Sequence, residues 1–224
     1  MKADLQKHVL ATYFTLRMGI ALIAIVFPLV LWIGGKFYAG LPLQDSMSAY
    51  YHAASAGKSM RDWFVGILFA VGVFLYLYKG YSNNENFALN IAGVMALGIA
   101  MFPMEWECGT SCAKYSIHGV CAAVFFICIA YVCVRCSRDT LSLLPNERQR
   151  ARYRNMYRTL ATLMLLSPVI AFILNVFMRS YESLVFYVEA VGIFAFAAYW
   201  LTKSRELSVS QAEKKAARGQ LDAG

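Results

Sequence analysis

Apolar residues run almost unbroken through six stretches of the chain, residues 18–34, 63–78, 87–103, 117–134, 160–177 and 184–201. A helix needs about 20 mainly apolar residues to cross a hydrocarbon core about 30 Å thick, so each stretch predicts a membrane helix with its ends at the interface. Trp32, Trp63, Tyr78, Tyr81, Trp106, Tyr115, Tyr181 and Trp200 flank the stretches, as an aromatic belt would. Barrel strands would instead alternate apolar and polar residues over about 10 positions. The expected fold is all-α: a polytopic membrane protein with six transmembrane helices over 1–202 and a tail over 203–224. The first stretch has no small-x-small site just after its apolar core, so it reads as a retained anchor rather than a cleaved signal.

Basic residues orient these spans. Of the 21 Lys and Arg residues, only Lys36, Lys58, Arg61, Lys114 and Arg179 fall in the alternate set of connections. The rest share a side with the two termini, so the positive-inside rule places both termini in the cytoplasm. That side holds one long loop, 135–159. Within it Leu144-Pro145-Asn146-Glu147 has the form of a helix start, with a Pro, an N-capping Asn and an acidic first turn. The helix that follows places Arg150, Arg154 and Arg158 on one stripe, a spacing that faces anionic lipid headgroups. The first 16 residues set Leu5, Val9 and Leu10 on one side, as a short interfacial helix would. The tail from Lys203 reads as a frayed extension.

Composition sharpens the class. Hydrophobic residues make up 59% of the chain and charged residues 15%, against about 25% charged in a soluble domain. A soluble enzyme, a disordered chain and a nucleic-acid-binding module are all excluded. The net charge of +8 reports orientation and membrane lipids as partners before any other partner.

Chemistry is expected at the outward end. Ionisable groups in spans are costly and count as functional hypotheses by default. His52 lies in the long outer connection 36–62, Asp62 opens the second span, and Glu105 and Glu107 follow the third. His118 opens the fourth, Asn175 closes the fifth on that side, and Glu189 sits about one and a half turns into the sixth. The inner halves show only milder groups such as Thr162 and Ser167. Polar groups from several spans at one depth predict an outward-facing pocket. His52, His118, Asp62 and Glu189 suit zinc, which in catalytic sites takes three His or carboxylate ligands and an activated water. The same groups would serve as a polar plug joining helices and loop. Cys108 and Cys112 share the outer loop and form a disulfide candidate, since that side is oxidising.

Ser48-Ala49-Tyr50-Tyr51-His52, with Asp62 ten residues on, resembles the Ser-x-x-x-His…Asp signature of the CREST membrane hydrolases, which include the alkaline ceramidases. The resemblance implies zinc held with His52 and Asp62, Ser48 as an oxyanion or water partner, and hydrolysis of a lipid amide. The chain departs from that family in having six spans and no late His-x-x-x-His pair. Its layout is similar to bacterial six-span DRAM/Frag-like proteins, through Ser46–His52, Arg61-Asp62, Phe102-Pro103 and His118. That likeness implies a bacterial plasma (inner) membrane and no particular chemistry. Three readings follow: a metal-dependent hydrolase of a lipid-like amide or ester using Ser48, Asp62 and Glu189; a binder or proton-linked carrier using Glu189; and a structural partner subunit.

Overall fold

The computed structural model describes residues 2–105, 116–177, 183–212 and 215. Six helices account for almost all of it: α1 Lys2–Leu29, α2 Arg61–Leu77, α3 Asn83–Met101, α4 Ile117–Tyr131, α5 Glu147–Phe177 and α6 Leu184–Ser210. Helix α1 continues through a π turn, Val30–Gly34, to Tyr38, and α4 continues through a second π turn, Val132–Cys136, to Leu141. Pro28 supplies no N–H for the Ala24 carbonyl, and the wider turn that follows is the local adjustment expected just after such a gap. The N-terminal residues do not form a separate interfacial helix; they belong to α1 without a break.

The starts of the helices are chemically marked. Asn146 Oδ1 accepts from the Arg148 N–H at 2.9 Å, which is the cap expected for α5. Ser82 Oγ caps α3 by accepting from the Glu85 N–H, and Ser116 Oγ caps α4 by accepting from Gly119. With α4 extended to Leu141 and α5 starting at Glu147, the long inner loop shrinks to a short turn.

Each helix packs on its neighbours in sequence, and α1 closes the ring against α6. An even number of alternating helices brings both termini to one end. The core is aromatic along α6: Tyr78 meets Trp200 edge-on at 5.0 Å, Trp200 meets Tyr199 at 5.3 Å, and Phe196 meets Phe125 at 5.6 Å. Leu22, Phe69, Val94, Ile127, Phe172 and Val191, one from each helix, are exposed. An apolar exterior around a core that holds Arg17, Glu85, Lys203 and Glu206 is the distribution of a bundle whose solvent is lipid. Four described helical segments, Leu5–Tyr38, Ile117–Leu141, Glu147–Asn175 and Leu184–Ser210, are long and apolar enough to cross a membrane. Helix α2 has 17 residues, and α3 opens on the polar turn Asn83–Asn86, which dilutes its apolar length.

Helices α2 and α3 come into direct backbone contact at a glycine pair. A Cβ on Gly72 would lie 2.8 Å from the Gly93 carbonyl oxygen, and one on Gly93 would lie 2.7 Å from that of Gly72. Small residues permit this backbone contact, which substitutes for a hydrophobic driving force that lipid cannot supply. Gly93→Ala is expected to cost about 1–3 kcal/mol, because the backbone opposite must move. Unfolding in mixed micelles measures this, and a loss within experimental error would show that the two helices are free to separate.

Candidate functional site

The connection between α1 and α2 folds back over the end of the bundle where α3 ends and α4 and α6 begin. Gly40, at φ +66°, turns the chain, and the Leu41 N–H donates to the Gly35 carbonyl at 2.9 Å. Gly35 leaves room for the fully buried Tyr50 ring: a Cβ there would lie 2.6 Å from the ring. The Tyr50 hydroxyl accepts from the Gln44 N–H, and the ring meets Phe186 edge-on at 6.0 Å. Burial pushes the Tyr50 phenol up from its ordinary value, with the Gln44 N–H pulling the other way, so the group stays neutral. On this seat stands a short 3-10 turn, Ser48–Tyr51, followed by a two-stranded ribbon, Ala54–Ser55 against Lys58–Ser59. Ala56 and Gly57, both at positive φ, make its two-residue turn.

The turn delivers Ser48 to His118. The Ser48 Oγ lies 2.9 Å from His118 Nε2, and His118 Nδ1 lies 3.0 Å from the Phe102 carbonyl and 3.2 Å from that of Ile99. Two acceptors at Nδ1 require the proton there. Nε2 is therefore bare and accepts from the Ser48 hydroxyl. The carbonyls belong to the C-terminal end of α3, so the fold of that helix end sets which imidazole nitrogen carries the proton.

Glu189 and His52 join the same end. Met47, the residue before Ser48, donates its N–H to Glu189 Oε2 at 2.6 Å, and the Phe186 N–H donates to the Asp45 carbonyl at 2.8 Å. His52 Nε2 pairs with the Met104 carbonyl at 3.0 Å. Helix α6 thus holds the segment that leads into the turn, at Asp45 and Met47. Asp62 stands apart: its side chain is 86% exposed, and its ion pair is with its neighbour Arg61 at 3.8 Å.

Both ring nitrogens of His118 are occupied by protein partners, His52 Nε2 faces a carbonyl, and Asp62 points to solvent. Among the described residues no three His, Cys, Asp or Glu side chains converge on one point. Cys108, Cys112 and Glu107 lie outside the described residues. Comparison of the chain with family models, curated proteins and solved structures gave no match. Function rests on the site itself.

Of the arginine stripe, Arg150 is engaged with the chain: its Nη2 donates to the Leu144 carbonyl at 2.8 Å and to that of Ser142 at 3.4 Å. Arg154 and Arg158 line a small notch with Arg138, between α5 and the extension of α4.

Sequence reasoning missed a second polar centre at the opposite end. Helix α6 does not fray at Lys203; it runs to Ser210 and buries Lys203 and Glu206 completely. Lys203 Nζ lies 3.3 Å from Glu206 Oε2 and donates to Thr140 Oγ1 at 2.6 Å; Thr140 in turn donates to Glu206 at 3.0 Å, and Tyr157 does so at 3.2 Å. Arg17, 1% exposed, donates from Nε to Ser204 Oγ and from Nη1 to the Tyr78 hydroxyl. Glu85, equally buried, accepts from the Tyr81 N–H at 2.8 Å. Two cations and two carboxylates leave the centre formally neutral. The legible signal was Glu206 three residues after Lys203, a pair that shares one helix face.

Proposed function

We propose that this chain is a six-span protein of a bacterial plasma membrane, with both termini cytoplasmic, whose outward end hydrolyses a lipid-like amide or ester. Ser48 is the nucleophile and His118 its base. The observation that carries this reading is the 2.9 Å approach of Ser48 Oγ to a His118 Nε2 whose tautomer is set by the end of α3. A nucleophile, a base within hydrogen-bond reach and a group orienting that base form the constellation that activates a serine.

As Ser48 Oγ bonds to the substrate carbonyl carbon, its proton passes to His118 Nε2. The imidazolium then gives that proton to the departing amine or alcohol as the C–N or C–O bond breaks, leaving an acyl group on Ser48. Water attacks the acyl carbon as His118 takes its proton, and His118 returns that proton to Ser48 Oγ as the acyl C–O bond breaks and the product acid leaves. Glu189 is a positioning residue, since it holds the Met47 amide directly before the nucleophile. The inner-end arginines face anionic headgroups in this arrangement, Arg154 and Arg158 more freely than Arg150.

The test is labelling with a fluorophosphonate in detergent, with elemental analysis of the same samples. The expected result is one phosphonyl group on Ser48, absent in Ser48→Ala. About one zinc per chain, lost in both His52→Ala and His118→Ala, would instead favour the metal-dependent reading, which follows the usual ligand count for catalytic zinc. Folded protein showing neither label nor metal would sink both and leave the carrier reading, in which ligand flux depends on Glu189.

A further inference from the structure

Along α5, where it faces Ala198 and Thr202 of α6, runs a groove of about 630 Å³. Clefts that hold small ligands span about 300–1,000 Å³. The groove follows α5 from Arg148 to Leu160, about 18 Å along the helix axis. Its chemistry is graded along that length. Arg148 and Arg152 stand at the end near the start of α5, both exposed, and neither has an ion pair among the described residues. Further along, the walls are mainly apolar, with Met156 and Leu160 on α5 and the small Ala198 on α6, and their polar groups, Asn155, Thr159 and Thr202, carry no charge. No carboxylate lines it.

We infer that this groove binds one anionic phospholipid of the inner leaflet, its phosphate between Arg148 and Arg152 and an acyl chain against Leu160 and Ala198. A free anion would need only the two guanidinium groups, and an uncharged lipid only the apolar walls. A charged end continuous with an apolar trough complements a molecule that has both. The polarity also agrees with the bilayer: the arginines sit where the headgroups of the cytoplasmic leaflet lie when the termini are inside. The inference rests on that membrane orientation and is independent of the Ser48–His118 chemistry.

Native mass spectrometry of the full chain in a non-ionic detergent tests it, by titration with dioleoylphosphatidylglycerol, dioleoylphosphatidylcholine or inorganic phosphate. One phosphatidylglycerol is expected to bind, in preference to phosphatidylcholine. Arg148→Gln with Arg152→Gln is expected to weaken binding about 30-fold, taking each basic residue at the surface as worth about a fivefold change. Ala198→Phe fills the trough while keeping both charges and should also remove the lipid; Met156→Trp serves the same purpose from the exposed wall should the first variant not fold. Lys79→Gln, an exposed basic residue between α2 and α3 that does not line the groove, should leave binding unchanged. Equal weakening by Lys79→Gln, retention of the lipid in both trough-filling variants, or displacement by phosphate alone would each overturn the assignment.

Discussion

Lys203→Ala is expected to destabilise the protein by about 3–5 kcal/mol, the usual cost of removing one partner from a buried ion pair. Lys203 is fully buried, and its ammonium donates to Thr140 while facing Glu206 at 3.3 Å. Without it, Glu206 keeps only the Thr140 and Tyr157 hydroxyls as donors, both on Oε2, while its Oε1 is buried without a hydrogen-bond partner already. An uncompensated carboxylate in that position is what makes the single variant costly. The double variant Lys203→Met with Glu206→Gln removes both charges and keeps an amide oxygen for Tyr157 and Thr140 to donate to. It should recover most of the loss, since apolar or neutral replacement of a whole buried pair is often close to neutral. A double-mutant cycle from unfolding in mixed micelles measures the coupling. A single-variant cost below about 1 kcal/mol, the range of exposed pairs, would show that water reaches the pair and that the end of α6 is not sealed.

The contrast between the two polar ends shows what the chain reveals on its own. Helices follow from local signals: apolar length, Asn146 as a cap, Ser82 three residues before Glu85. Depth along a helix is also local, so His118, Glu189 and the turn around Ser48 could be assigned to one end of the bundle. Which atoms meet there is not local. Ser48 and His118 are 70 positions apart, and Met47 and Glu189 are 142 apart. Their pairing depends on how the connection after α1 is seated by Gly35 and Tyr50. Asp62, next in the same motif, turns outward because it occupies the first turn of α2, where an acidic side chain suits the helix dipole without leaving water.

The centre around Lys203 and Glu206 was hidden for a different reason. Lys203, Glu206 and Arg17 lie beyond the apolar stretches, in segments whose basic character reads as orientation. Glu85 lies in a turn rich in Asn. Each residue alone looks like interface decoration. Only the closing of α1 against α6, with Arg17 donating to Ser204 across 187 positions, puts them in the interior. The helix period continues past the hydrophobic window, and the buried face of α6 continues with it.

His118→Gln is expected to slow phosphonylation of Ser48 by about 10²- to 10⁴-fold, the usual contribution of a positioned general base. The glutamine amide can still hydrogen-bond to the Ser48 hydroxyl or to the carbonyls at the end of α3, but it cannot take the proton that Ser48 must lose. Fold and labelling are thereby separated: the variant should stay folded while its second-order labelling rate falls. Glu189→Gln is the complementary case. Its amide oxygen can still accept from Met47, whose N–H now donates at 2.6 Å, so the turn should remain seated and the rate close to that of the unaltered chain. Should His118→Gln label as fast as the unaltered protein, the imidazole would be a hydrogen-bonding post for the turn and Ser48 an ordinary serine. Should Glu189→Gln be the slow one, the carboxylate and not the imidazole would be the proton acceptor, and the Ser48 centre would belong to Glu189. The two rates together therefore assign the proton at this end of the bundle.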